Sequence, residues 1–198
     1  MSKVTSDLSI SLDGFVAGPH QSLDNPLGEG AEDRLHQWMF EEPEANAEEL
    51  QGITAAGAFI MGRNMFSPGR DDWDLEWKGW WGDDPPYHRP VFVLTHHPRP
   101  MLPMLGGTTF TFVTDGIESA LAQARKAAGE GDIAIAGGAH TVNQYLAAGL
   151  IDELRLHVAP VLLGGGERLF DGVGDLTLEP LSVRGTNLVA HLRYRVTR

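Results

Sequence analysis

At 198 residues, with 42% hydrophobic and 21% charged side chains, the chain has the makeup of one well-cored globular domain over residues 1–198, not of a disordered one. Fifteen basic against twenty-seven acidic residues leave a net charge of −12, which argues against nucleic acid or anionic membrane as a partner. The absence of cysteine excludes disulfides, thiolate catalysis and thiolate-bound metal; with no membrane-length apolar run and no leader-like N-terminus, a cytoplasmic protein is expected.

Residues 4–12 alternate loosely, with Val4, Leu8, Ile10 and Leu12 apolar, and break at Asp13-Gly14 into a loop that runs to residue 30. From Ala31 the spacing of Leu35, Trp38 and Met39 predicts a helix ended by Pro43, and residues 45–56 predict a second one. The apolar run 58–61 is a strand stopped by Gly62-Arg63-Asn64. Residues 67–90 hold four of the five tryptophans among aspartates and prolines, and are expected to form a long, ordered loop whose rings pack, cover a ligand or touch a partner.

Strands follow at 90–95 and 109–114, then an alanine-rich helix at 117–128. The stretch from Asp132 to Leu146 combines a buried strand, a glycine pair at Gly137-Gly138, and apolar Val142 and Leu146 at helical spacing. Residues 154–158 alternate strictly, and 176–184 with 188–196 read as a terminal antiparallel hairpin. Helices between early strands and turns between late ones predict an α/β fold: a mostly parallel central sheet flanked by helices, with a C-terminal antiparallel hairpin.

Chemistry concentrates at the strand ends. Glycines without side chains let backbone N–H groups and a helix N-terminus approach an anion, which makes Gly137-Gly138 a candidate phosphate site. Arg63 beside Gly62 offers planar, bidentate phosphate recognition, and ligands collect at the carboxyl ends of strands, where Gly62, Thr95 and Gly137 all fall. The sequence has neither Gly-x-Gly-x-x-Gly nor Walker A. No metal is expected, because the adjacent His96 and His97 point apart in a strand. His96 is a loop residue or a donor to a phosphate; His157 is a core or surface histidine, or part of a pocket wall. For acid–base work the candidates are Asp13, Glu32, Asp33 and His36, of which Glu32 equally fits a solvated first turn.

The segments 11–18 (SLDGFVAG), 60–66 (IMGRNMF), 91–98 (VFVLTHHP), 133–138 (IAIAGG) and 161–166 (VLLGGG) resemble, in order, the dihydrofolate reductase superfamily, and more closely its RibD C-terminal domain branch, the reductase of riboflavin biosynthesis. The resemblance implies a dihydrofolate reductase-like fold with NADPH across the strand ends. Gly137 and Gly138 would take the pyrophosphate, with Ala139, His140 and Thr141 opening the helix beneath it. Gly62, Arg63, Asn64, Thr95 and His96 would hold the adenosine ribose and its 2′-phosphate, and Ala17 and Gly18 would lie along the nicotinamide. It also implies Asp33 as proton donor and a homodimer; His36 is the alternative donor, and Asp13, Trp38 and His157 are the expected substrate contacts. His157 stands where folate enzymes carry a threonine. The expected activity is NADPH-dependent reduction of a small, heteroaromatic molecule; the alternatives are a ligand-binding protein without turnover, or an assembly role for the tryptophan loop and hairpin.

Overall fold

The computed structural model describes residues 2–31, 34–67 and 72–197. Its strands are β1 (Val4–Ser11), β2 (Phe15–Ala17), β3 (Ala58–Gly62), β4 (Pro90–Leu94), β5 (Leu102–Pro103), β6 (Thr109–Val113), β7 (Ile133–Gly137), β8 (Glu153–Ala159), β9 (Glu167–Arg168), β10 (Thr177–Gly185) and β11 (Ala190–Thr197). The helices are α1 (Gln37–Glu41), α2 (Ala47–Thr54), α3 (Arg63–Phe66), α4 (Ile117–Ala128) and α5 (Ala139–Ala147).

Among the described residues, nine strands form one sheet in the order β10-β11-β8-β1-β7-β3-β4-β6-β5. The six from β8 to β6 run parallel. β11 and β10 extend one edge and β5 the other, all antiparallel to their neighbours. The expected hairpin is therefore present, closed by Thr186 N–H donating to the Val189 carbonyl at 2.9 Å. Three short strands, β2, β5 and β9, have no alternation long enough to be read from sequence; each exists through its partner, and β2 pairs β9 outside the main sheet.

β1 shows how the two faces divide. Val4, Leu8 and Ile10 join the core under α4 and α5, together with Ile60, Ile133, Ile135, Leu154 and Leu156. The alternate residues Thr5, Asp7, Ser9 and Ser11 point to the other face, because side chains of a strand alternate. That second face is covered at one end by α1 and α2. At the other it carries a separate apolar cluster built on Phe59, Met61, Phe66, Val91 and Phe110, against which Trp73, Trp77 and Trp81 pack.

The described part of the tryptophan loop from residue 72 onward is held by specific contacts. Trp73 Nε1–H donates to the His97 carbonyl and Trp77 Nε1–H to the Phe66 carbonyl, both at 2.8 Å. The buried Arg99 guanidinium ties down the Leu75 and Trp77 carbonyls at 3.0 and 2.6 Å. Packing is thus the main occupation of these rings.

The first predicted helix is shorter than its apolar spacing implies. Among its described residues only Gln37–Glu41 is α-helical, and residues 34–36 are turn. The segment before it is pinned back: Gly18 N–H donates to the Leu27 carbonyl, Glu29 N–H to that of Pro19, and Gly28 takes a φ of 77°. Leu35 and Trp38 are still buried, as their spacing required. No helix among the described residues is long and apolar enough to cross a membrane.

Candidate active site

The carboxyl ends of β3, β4 and β7 open into a groove of about 660 Å³ that continues across the sheet face beneath α1 and α2. At the strand-end side it is lined by Gly62, Arg63, Asn64, Thr95, His96, Gly137, Gly138, Ala139, His140 and Thr141. All ten were selected from sequence, and the parallel order β7-β3-β4 is what brings them together.

Backbone geometry explains the glycines. Gly137 has a φ of 134°, open to glycine and strained for other residues, and a Cβ there would meet Met65 Sδ at 3.2 Å. A Cβ at Gly62 would overlap Thr141 Oγ1, so β3 can approach the first turn of α5 only without a side chain. Gly138 precedes α5 with extended backbone and no side-chain cap. A Cβ on it would meet nothing within 4 Å, which leaves the space in front of the helix open. The N–H groups of Ala139, His140 and Thr141 lie before the first i to i−4 donor, Val142 N–H, which donates to the Gly138 carbonyl at 3.1 Å. The arrangement offers backbone donors of the kind that can receive an anion. Beside it the Arg63 guanidinium is stacked on the Trp73 ring at 4.0 Å, which holds its charge at the groove rim.

Ala17 on β2 also lines the groove, next to its cross-strand partner Glu167. Gly18 does not: it is packed against the Glu29 backbone, where a Cβ would overlap the carbonyl oxygen. Its glycine serves that close approach.

Asp13, expected to touch substrate, is not brought to the groove. The turn at Gly14 aims its carboxylate at the glycine-rich loop after β8. It accepts the Ser11 hydroxyl at 2.6 Å and the N–H groups of Leu163 and Gly164 at 3.1 and 2.7 Å. The Ser11 bond, with the two backbone donors, holds its carboxyl down at about 2. Because the folded value lies below the ordinary 3.8, the contribution to stability is present above pH 3.8 and is lost as pH falls towards 2. Asp13→Asn is expected to flatten the stability profile in that window, measured by urea unfolding between pH 2 and 6.

Trp38 is likewise not a lining residue. It is fully buried behind the groove, with its Nε1–H on Ser9 Oγ at 3.1 Å and its ring 4.8 Å from that of His157 and 5.1 Å from that of His191. His36 and His157 do line the groove, as do Met39 and Ile53 from the covering helices. Asp33 and Glu32 lie outside the described residues.

Among the groove residues not selected from sequence are Asp7 and Ser9 on β1. A carboxylate inside a strand whose Val4, Leu8 and Ile10 are core residues was the available signal, since buried charge needs a partner or a function. Asp7 Oδ2 lies 3.5 Å from Arg155 and its Oδ1 3.7 Å from His157 Nε2. Ala134 and Ala136 of β7 form a flat floor beside them, and Trp80, Trp81 and Tyr87 stand on the far wall. The tryptophan loop therefore also walls the groove.

Comparison with known proteins agrees with this architecture. YyaP, an uncharacterised protein of Bacillus subtilis (strain 168), is 26% identical over 178 residues, 85% of this chain and 80% of its own. A riboflavin-biosynthesis candidate from Shewanella sp. PV-4 is similar in structure with a TM-score of 0.67, at 22% identity over 99% of both chains. Dihydrofolate reductase from Enterococcus faecalis, solved with NADP(H), aligns with a TM-score of 0.52 at 16% identity, over 99% of this chain and 97% of its own. The fold is thus dihydrofolate reductase-like. The family model of the RibD C-terminal domain matches residues 2–190, and the chain belongs to that family.

Proposed function

We propose that the protein is an NADPH-dependent reductase that delivers hydride to a C=N or C=O bond of a small heteroaromatic molecule of pteridine or pyrimidine type. The observation that carries this reading is the continuity of one groove, from an anion cradle at the strand ends to a recess holding Asp7 and His157. The first part suits a dinucleotide and the second a polar ring, and a transferred hydride requires the two side by side.

The residues fit NADPH. The open space before Gly138 and the first-turn N–H groups of α5 suit a pyrophosphate. Gly62, Asn64, Thr95 and His96 would surround the adenosine ribose, and Arg63 would take a 2′-phosphate by charge and planar geometry. Ala17 leaves room for a flat ring beside β2. When bound, the cofactor supplies the hydride. The chain's part is to hold both rings, keep water away through α1, α2 and the tryptophan wall, and provide a proton to the nitrogen or oxygen being reduced.

The test is thermal unfolding with saturating NADPH or NADH. NADPH at about 100 times its Kd should stabilise by about 2.7 kcal/mol, readable as a rise in Tm. Arg63→Ala should weaken NADPH while leaving NADH nearly unchanged; equal losses for both would remove the 2′-phosphate assignment. Absence of any rise in the unmodified protein would end the reductase reading. Oxidation of NADPH, followed by its absorbance against pteridines, pyrimidines and quinones, then finds the acceptor class.

A further inference from the structure

Behind the substrate end of the groove, two histidines share a hydrogen bond whose direction can be worked out. Asn46 Nδ2 donates to the Trp38 and Glu42 carbonyls at 3.2 and 2.7 Å, so the Asn46 side-chain oxygen is the acceptor that faces His191. His191 Nε2, 2.8 Å from that oxygen, must therefore carry a proton. Burial, reinforced by the neighbouring His157, holds His191 down at about 4, so near neutrality it has no second proton and its Nδ1 is a bare acceptor. The two Nδ1 atoms lie 2.7 Å apart, which leaves His157 Nδ1–H as the donor. In the neutral pair His157 Nε2 is consequently bare. That atom is buried, has no hydrogen-bond partner, and belongs to a side chain that lines the groove.

An added proton has one place to go. On His191 Nδ1 it would break the histidine–histidine bond, whereas on His157 Nε2 it leaves both existing bonds intact and lies 3.7 Å from the Asp7 carboxylate. The charged groups around the pair are consistent with this. Asp7 faces His157 from β1, and Arg155 of β8 touches Asp7 at 3.5 Å on its other oxygen. Glu49 of α2 lies 4.0 Å from His191 Nε2, but its carboxylate is already engaged by Arg184 of β10. His36 lines the same groove.

We propose that His157 Nε2 is the proton-exchanging atom of this groove, with Asp7 as its counter-charge and His191 and Asn46 as positioning residues that fix its tautomer. The catalytic use of this atom rests on the reductase reading. As the carbon of a C=N or C=O bond accepts hydride, with reduced nicotinamide becoming oxidised, the bond's nitrogen or oxygen takes the proton from His157 Nε2. The imidazolium returns to neutral imidazole and is recharged by solvent protons. The donor thus comes from β8, on the sheet, and not from the segment before α1 that holds His36.

The deciding experiment is long-range ¹H–¹⁵N NMR of the full chain labelled with ¹⁵N-histidine, titrated between pH 5 and 9, with His157→Gln used to assign the signals. The expected result is a His157 protonated at Nδ1 and bare at Nε2 at high pH, which gains its proton at Nε2. In Asp7→Asn the midpoint of that titration should fall, because the counter-charge is gone. A His157 found as the Nε2–H tautomer, or a midpoint indifferent to Asp7→Asn, overturns the proposal. The measurement needs no cofactor, so it stands apart from the NADPH melting shift: a shift with the wrong tautomer sinks this proposal alone, and the right tautomer with no shift sinks the reductase reading and the catalytic role with it. On the compound reduced in the acceptor screen, His157→Gln should lower kcat by about 10²–10³-fold with the NADPH shift retained. A loss confined to KM would make His157 a binding group and overturn its role in proton transfer.

Discussion

Trp38→Ala is expected to be the most damaging single truncation at the candidate site, although the side chain touches no groove surface. Trp38 is fully buried, wedged beside the rings of His157 and His191, and fixed to Ser9 through its indole N–H. Removing an aromatic ring from such a place costs about 3–5 kcal/mol, because the cavity does not refill. For a chain of this length that corresponds to a fall in Tm of roughly 6–20 °C. Trp38→Phe, which keeps most of the volume and gives up only the bond to Ser9, should lose about 1 kcal/mol. If the two variants melted together, the indole would not be the support on which the histidine pair rests.

Gly62→Val and Gly138→Ala should separate the two roles of the strand-end glycines. At Gly62 any side chain overlaps Thr141 Oγ1, so β3 and α5 must move apart. Overpacking of this kind costs about 1–3 kcal/mol, and NADPH affinity should fall with it as the cradle is distorted. At Gly138 the backbone is extended and the added methyl meets nothing, so Tm should stay within a few degrees of the unmodified protein. NADPH binding should nevertheless weaken by about tenfold or more, since the methyl fills the space proposed for pyrophosphate; tenfold is 1.4 kcal/mol. Calorimetric titration of both variants checks this. A Gly138→Ala protein that bound NADPH normally would move the pyrophosphate elsewhere along the groove.

The parts of the site that were legible in the sequence are those where backbone chemistry and the site coincide. A glycine after an apolar strand, or a glycine pair before a helix, announces a close approach whatever packs around it, and Gly62 and Gly137-Gly138 lie where that rule puts them. Side-chain direction is different. Asp13 sits in a motif beside the groove, yet its carboxylate turns towards the amides of Leu163 and Gly164, 150 or more residues away in the chain. Trp38 has the spacing of a helix face, and only the packing against β8 and β11 decides that it buries itself fully beneath the site.

The sequence by itself determined the mixed sheet, its longer helices and strands, the terminal hairpin and the glycine turns at the strand ends, because hydrophobic period, turn residues and the steric demands of glycine act over a few neighbouring residues. Only the tertiary structure decided that Asp7, Asn46, His157 and His191 form one buried polar group. Those four come from β1, the turn before α2, β8 and β11, and they meet because β8 and β11 pair side by side next to β1 while α2 covers their common face. Nothing in the local sequence around a histidine specifies which nitrogen keeps its proton; that follows from a partner 34 residues away and an asparagine 145 residues from that partner.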